Sequence, residues 1–179
     1  WKGGKENDPD WFEFLGFWFA EGTAQYNKKS KKYRVTLTQN DEPYVDDLIY
    51  RNRGRFRNKF HKYPKRHGGF NWELYQIEIA EELSKYGKSR TKKIPSYIKN
   101  ADVNSLKAFI KGFLEGDGSI DCNGSVKLCT SSFDMANDLH EMCVKAGYIS
   151  AMKAYEVDDR TVHHDKDWKI THARKNGKR

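Results

Sequence analysis

Two periods of hydrophobicity take turns along the chain. Trp11, Phe12, Phe14, Leu15, Phe17, Trp18 and Phe19 crowd into one run, and a helix that is apolar nearly all round is buried on several sides. Asp8-Pro9 ahead of it supplies an N-cap followed by proline at the first helical position. Gly22 closes it, in the left-handed position common after helices. From Lys32 to Gln39 the period becomes two. Tyr33, Val35 and Leu37 alternate with Lys32, Arg34, Thr36 and Thr38, which reads as a strand with one core face, paired with a strand over 23–27. Asp41-Glu42-Pro43 opens a helix through about Arg51. Residues 56–63 and 71–78 read as two more strands and 80–86 as a short helix, giving the order αββαββα.

A polar, basic connector over 88–93 follows, and then the pattern restarts. Asp102 or Asn104 caps a helix running through Phe109, Ile110, Phe113 and Leu114 to Gly118. Strands follow near 119–122 and 125–130, then a helix capped by Ser132 and closed by Gly147, then strands near 150–157 and 166–173. Only the last helix is missing. A shift of 96 positions (112 − 16) lays Gly16, Ala20, Glu21 and Gly22 on Gly112, Gly116, Asp117 and Gly118, so an internal duplication is the simplest reading. The expected fold is α+β, with two pseudo-symmetric halves that each carry a four-stranded antiparallel sheet. The boundaries are 1–87, a linker over 88–103, and 104–179 with its last helix short or absent.

Composition narrows the partner. Across 179 residues, 33 Lys and Arg against 25 Asp and Glu leave a charge of +8, and the clustering of the basic residues favours a polyanion. Aromatic residues at 14% are too many for a disordered basic tail. Cys122, Cys129 and Cys143 lack zinc-ligand spacing and are odd in number, which points to a reducing compartment such as cytoplasm, nucleoid or organelle matrix. No apolar run spans a bilayer and the first residues do not read as a signal peptide. With no initiator Met, the chain is expected to be an excised segment of something longer.

The repeated helix carries the chemistry. Gly16 and Ala20, like Gly112 and Gly116, lie four apart and form a smooth stripe that lets two helix backbones approach closely. Glu21 and Asp117 stand in the last helical turn, where the helix already carries partial negative charge. Either acid alone reads as an exposed residue without a role. If the two helices pair in parallel, the acids and the free backbone carbonyls converge on one oxygen-rich anionic point that a hard cation such as Mg²⁺ would neutralise. Such a site can hold a phosphate and lower the pKa of a bound water.

Phe-Leu-Gly-Phe-Trp-Phe-Ala-Glu-Gly at 14–22 and Ile-Lys-Gly-Phe-Leu-Glu-Gly-Asp-Gly at 110–118 resemble the paired motifs of the LAGLIDADG homing endonucleases, and the resemblance extends over most of the chain. It implies a monomer with a saddle of two sheets on the DNA major groove. It also implies Mg²⁺-dependent cleavage of both strands leaving four-base 3′ overhangs, with Mn²⁺ substituting and Ca²⁺ binding without supporting cleavage. It assigns metal binding to Glu21 and Asp117, with the carbonyls of Ala20 and Gly116 assisting. Arg-Thr-Lys-Lys-Ile-Pro-Ser-Tyr-Ile at 90–98 resembles the segment before the second motif of intein-borne members, in which a lysine beside the Ile-Pro lies in the active site. Lys92 is the first candidate for that role and Lys93 the second. A lysine there would stabilise charge developing at phosphorus or help activate water. Gln39 resembles a polar residue that relatives place beside the metals. Its counterpart, Thr130 or Ser131, departs from the lysine several relatives carry. One active-site lysine is therefore unassigned, with Lys175 and Lys178 in the tail as candidates. The chain has neither an N-terminal splice-junction Cys nor a C-terminal His-Asn, so self-splicing is not expected of it.

The expected partner is duplex DNA with a long, partly asymmetric target. From Arg51 to His67 there are eight basic residues and no acid. Alternation would put Arg55, Arg57, Lys59 and His61 on one side of a strand and Phe56 and Phe60 on the other. Lys28, Lys29, Lys31 and Lys32 stand at a hairpin tip, within reach of flanking phosphates. Arg34, Thr36 and Thr38 are placed to read bases, and Lys127, Lys153, Tyr155, Lys169 and Thr171 are their candidates in the second half. His163-His164-Asp165 reads as a polar loop rather than a zinc site. Two other readings compete. One is a cleavage-inactive binder of the same fold, an intron maturase or a transcription regulator. The other is an unrelated basic RNA-binding domain, which leaves the recurring acids unexplained and shows no stacking motif.

Overall fold

The structure is a computed structural model that describes residues 7–156 and 166–172. Asp8 caps the first helix, α1 (Pro9–Glu21), its carboxylate accepting the Asp10 N–H at 3.0 Å. There follow β1 (Gly22–Asn27), β2 (Lys32–Gln39), α2 (Glu42–Arg51), β3 (His61–Pro64), β4 (Phe70–Leu74) and α3 (Ile77–Ser84). A one-turn helix α4 (Ser96–Lys99) leads into α5 (Val103–Asp117), capped by Asp102, and then β5 (Gly118–Ile120), β6 (Val126–Thr130), α6 (Phe133–Lys145), β7 (Ser150–Glu156) and β8 (Lys166–His172). The fold is α+β, with two four-stranded antiparallel sheets ordered β1-β2-β4-β3 and β5-β6-β8-β7.

Between the sheets α1 and α5 lie side by side, pointing the same way. A Cβ added at Gly16 would overlap the carbonyl of Phe109, and one at Gly112 the carbonyl of Glu13. These contacts are symmetry mates, since 109 − 13 equals 112 − 16, the same 96-residue shift that relates the motifs. Only glycine lets the two backbones come this near. Away from the acids, an ion network centred on the buried Glu13 braces the pair. Glu13 receives Arg51 from α2 and Lys111 from α5, and these outweigh its burial and hold its carboxyl below the usual range.

Three sequence expectations are corrected. Residues 56–60 are not strand: a tight turn over Arg53–Arg55 is followed by irregular chain up to His61. Phe56 and Phe60 both turn inward, their ring centroids 5.3 and 6.4 Å from Phe14, which also stacks on Trp11 at 5.0 Å. Two rings entering one cluster bend the chain away from strand geometry, so Arg55, Arg57 and Lys59 share no strand face with His61. Arg55 pairs with Asp8 and lies over Trp11, and Arg57 pairs with Glu78 at 2.9 Å. Gly22 and Gly118 are extended (φ −94° and −117°) rather than left-handed, and their glycine identity answers to space, because a Cβ would strike Trp18 or Leu114. The fourth strand ends at Leu74, not 78, and α3 begins at Ile77. The tail after His172, with Lys175 and Lys178, lies outside the described residues, as does His163-His164-Asp165.

Candidate active site and nucleic-acid interface

Because α1 and α5 run together, their acidic ends adjoin. A Cβ at Gly116 would stand 2.5 Å from the Cβ of Ala20 and 3.0 Å from the Cγ of Glu21, so Glu21 rests against the backbone that leads into Asp117. Burial pushes the Glu21 carboxyl above its ordinary pKa and the Asp117 charge pushes it further, while Lys65 and Lys92 pull it back. Two carboxylates that resist joint ionisation form a site a hard cation would relieve. No group of three or more His, Cys, Asp or Glu side chains able to hold a metal occurs among the described residues. Any cation here would have to be held by these two carboxylates and backbone carbonyls rather than by a larger side-chain cluster.

Lys92 is buried beside these acids. Its ammonium donates to the carbonyls of Trp18 (3.1 Å), Phe19 (2.9 Å) and Gly22 (2.7 Å) and lies 4.7 Å from the Trp18 ring centroid. It thus neutralises the negative end of α1. Burial lowers its pKa to about 8, against the opposing pull of Asp117 and Glu21. Its own carbonyl accepts the hydroxyl of Ser132, the N-cap of α6. Lys93, next along an extended chain, points the other way into a surface groove with Tyr86, Ser96 and Asp134. The structure therefore brings Lys92, but not Lys93, to the acids.

Gln39 reaches across from β2, its amide 3.4 Å from the carbonyl of Glu115 on α5. Register matches it with Thr130, because Gln39 pairs with Phe70 and Thr130 with Trp168 at equivalent ladder ends. Thr130 is buried and accepts the Ser132 N–H, so it belongs to the start of α6 rather than to the site. Lys65, in the turn between β3 and β4, was not singled out by sequence. The only signal for it was its place in the basic run beside the Gly68-Gly69 turn.

The open face of the first sheet is built in rows. Thr23, Thr36, Glu73 and His61 align across the four strands, as do Thr38, Asn71 and Tyr63, and Gln25 stands opposite Arg34. Ala24, Val35, Leu37, Trp72 and Leu74 face the core, so the predicted faces of β2 hold. Arg34 pairs with Glu73 at 2.8 Å, and Thr38 donates to Asn71 at 2.8 Å. Lys28, Lys29 and Lys31 are exposed at the β1–β2 tip and Lys32 opens β2. In the second sheet, pairing of Lys127 with Thr171, Lys153 with Lys169 and Tyr155 with Asp167 puts Lys127, Lys153, Tyr155, Lys169 and Thr171 on one face by register. Thr23, Gln25, Asn71, Glu73 and Tyr63 were not singled out by sequence, although the alternation over 23–27 and 71–75 carried the signal. Lys62 belongs to the opposite face, over Phe70 and Trp72 and bound to Glu42 and Asp46.

Paired small-residue helices between two four-stranded sheets, with an acid at the end of each helix, define the LAGLIDADG fold, and solved structures agree. A variant of I-DmoI in complex with its target DNA and manganese superposes with a TM-score of 0.68 at 13% identity, covering 94% of this chain and 89% of that one. I-WcaI bound to its DNA recognition sequence gives 0.60 at 12% identity over 93% and 76%. The N-terminal LAGLIDADG domain of WhiA gives 0.56 at 9% identity over 92% and 75%. No family model matches the sequence. Among curated proteins, subunit Rpo1C of the DNA-directed RNA polymerase of Methanocaldococcus jannaschii is 29% identical over 133 residues, which are 70% of this chain and 14% of that protein. A DNA polymerase of Thermococcus kodakarensis is 29% identical over 157 residues, 83% of this chain and 9% of that protein. The chain thus spans less than a sixth of the length of these relatives.

Proposed function

We propose that the chain is a site-specific endonuclease that cuts both strands of duplex DNA with Mg²⁺, leaving four-base 3′ overhangs, and that it acts as a monomer on a long, partly asymmetric site. The observation that carries this reading is the meeting of Glu21 and Asp117 at the adjoining ends of α1 and α5, between two polar sheet faces. Mg²⁺ held by these two acids and nearby carbonyls would supply an activated water and offset charge at the scissile phosphate. The protein's own side chains have distinct tasks. Lys92 keeps a positive charge against the α1 end and beside the acids, which favours accumulation of negative charge on a phosphate there. Gln39 ties the first sheet to α5 and so fixes the distance between DNA-facing strands and acids. The exposed lysines at 28–32 would hold flanking phosphates, and the sheet rows with Arg34, Thr36 and Thr38 would meet base edges, since a two-stranded ribbon fits the major groove. Matches to the same chain inside an RNA polymerase subunit and a DNA polymerase, proteins with different tasks, support an element carried within host proteins, as an intein endonuclease is.

A second reading, a DNA or RNA binder of this fold that does not cut, is favoured by the likeness to the WhiA domain. One experiment separates them: a randomised duplex library incubated with wild type, Glu21→Gln or Asp117→Asn, in Mg²⁺ and then in Ca²⁺. The endonuclease reading expects discrete sites with 3′ overhangs in Mg²⁺ alone. It also expects each substitution to lower cleavage by at least about a hundredfold while binding in Ca²⁺ persists. Tight site-specific binding by a wild type that never cuts would establish the non-cleaving reading instead.

A further inference from the structure

The chain that leads from the first half to the second is clamped where it carries Lys92, and its backbone groups over 92–94 are held from both sides. The Lys93 N–H donates to the carbonyl of Tyr86, just beyond α3 of the first half (3.1 Å). From α6 of the second half, the Ser132 hydroxyl donates to the Lys92 carbonyl, and the Asp138 carboxylate accepts the Ile94 N–H at 2.8 Å. Gly87, left-handed at φ +91°, lets the segment lie close, because a Cβ there would overlap the Thr91 carbonyl and stand 3.0 Å from the Lys92 nitrogen.

Ser132 is fully buried and its polar groups are all committed. Its N–H donates to the Thr130 hydroxyl (3.1 Å), and its own oxygen accepts the Met135 N–H (3.2 Å) as the N-cap of α6. A hydroxyl has one proton to give, and a carbonyl can only accept, so that proton is fixed on Lys92. Lys92 is itself buried, so water does not replace the bond when the hydroxyl is removed. At the far end of the same residue, the ammonium meets the carbonyls of Phe19 and Gly22, which bracket Ala20 and Glu21 in the chain. The N-cap at the matching place of the first half is Asp41, two residues beyond Gln39 as Ser132 is two beyond Thr130. Its carboxylate accepts the Tyr44 N–H at 3.2 Å and has no proton to offer. The two caps thus do the same for their helices, and only Ser132 holds a second group.

We propose that Ser132 is a positioning residue: through the Lys92 carbonyl it fixes where the Lys92 ammonium stands at the end of α1, so that α6 of the second half places a charge belonging to the acids' site. Its effect on cleavage rests on the endonuclease reading above. A small displacement of a charge beside a reacting phosphate costs much in rate and little in binding.

The test compares Ser132→Ala with Asp41→Ala in the full chain, since both lose an N-cap and only the first releases Lys92. A pulse of acetic anhydride, read by mass spectrometry, reports how firmly Lys92 is held, with the exposed Lys93 beside it as internal standard. Ser132→Ala is expected to raise the labelling of Lys92 relative to Lys93 by at least about tenfold over Asp41→Ala, because local release rather than general loss of stability exposes it. On a duplex selected from the library, Ser132→Ala is expected to lower the single-turnover rate in Mg²⁺ by at least about tenfold while affinity in Ca²⁺ stays within about twofold, and Asp41→Ala to cut at the wild-type rate. Equal labelling in the two variants, or equal cleavage rates, would overturn the proposal. Should Ser132→Ala fail to fold, Asp138→Ala, which frees the Ile94 N–H instead, is read against Asp41→Ala in the same way. If wild type binds but does not cut, the endonuclease reading fails by itself, and the labelling alone decides for Ser132.

Discussion

The two central helices share a motif and differ in surroundings. Around α1 the space between helix and sheet is filled: Trp11, Phe14, Phe17 and Trp18 are buried, Phe56 and Phe60 enter from the loop after α2, and α3 lies across β1 and β2 with Ile79, Ala80 and Leu83 inward. Around α5 the counterparts are smaller, Ile110 for Phe14 and Leu114 for Trp18 by the same 96-residue shift (110 − 14 and 114 − 18). The link from α6 to β7 brings one ring, Tyr148, against the core, where the loop after α2 brings two. What is left is a groove of about 170 Å³ bordered by Ile110, Leu114, Val126, Leu128, Cys143 and Tyr148. The two halves share the helix-to-helix seam and the acids and differ in their outer packing. The seam tolerates no added atom, whereas the outer face needs only apolar volume. The largest expected difference follows from this contrast. Phe14→Ala should cost about 4 kcal/mol, as truncation of a close-packed aromatic does, and Ile110→Ala about 2, because water already reaches its neighbours. Urea unfolding of both variants measures the gap, and equal losses would mean that the groove is filled in solution.

The helix ends differ as well. Lys92 binds three carbonyls at the end of α1, whereas the end of α5 receives the amide of Gln39 and, among the described residues, no lysine. The Lys92 ammonium titrates at about 8 when folded and near 10.4 when unfolded. Between those values the unfolded chain holds the proton that the folded chain has released, so this residue makes stability rise with pH. Over the whole window the rise is on the order of 3 kcal/mol, and below pH 8 it is absent. Lys92→Met should flatten that part of the stability profile relative to wild type, as read by denaturant midpoints from pH 7 to 10.5. A profile that the substitution leaves unchanged would show that the ammonium is not held in a buried site.

How much of this was legible beforehand depends on the range of the interaction. The capping of α1 by Asp8, the faces of β2 and the superposition of Glu21 on Asp117 are local or periodic, and the sequence spells them out residue by residue. The position of Lys92 beside the acids came from resemblance, and no pattern would have foretold that its ammonium donates to the carbonyls of Trp18, Phe19 and Gly22 where α1 passes into β1. The error over 56–60 has a plain cause. Alternating basic and aromatic residues mimic a strand, but Phe56 and Phe60 find a common partner in Phe14, distant in sequence, and tertiary packing overrides the period. Lys65 escaped notice for a similar reason, because its charge acts on Glu21, more than forty residues away in sequence, from a turn that only the folded sheet brings near.

The smallest effect tests whether the groove beside α5 is truly vacant volume. Leu114 borders it and is partly exposed, whereas its counterpart Trp18 is fully buried. A ring in place of the Leu114 side chain would extend into the groove against Val126 and Leu128 without approaching the α1–α5 seam, which lies on the face of Gly112 and Gly116. Added contact in an open apolar space stabilises, and added bulk in a closed one forces its neighbours apart. Leu114→Phe should therefore raise stability by about 1 kcal/mol, seen as a higher urea midpoint with an unchanged slope. A loss of similar size would place other atoms in the groove and make the outer packing of the two halves more alike than their sequences are. Because the seam is untouched, the cleavage proposed for wild type should be unchanged in Leu114→Phe, which separates the packing difference between the halves from the proposed chemistry at their seam.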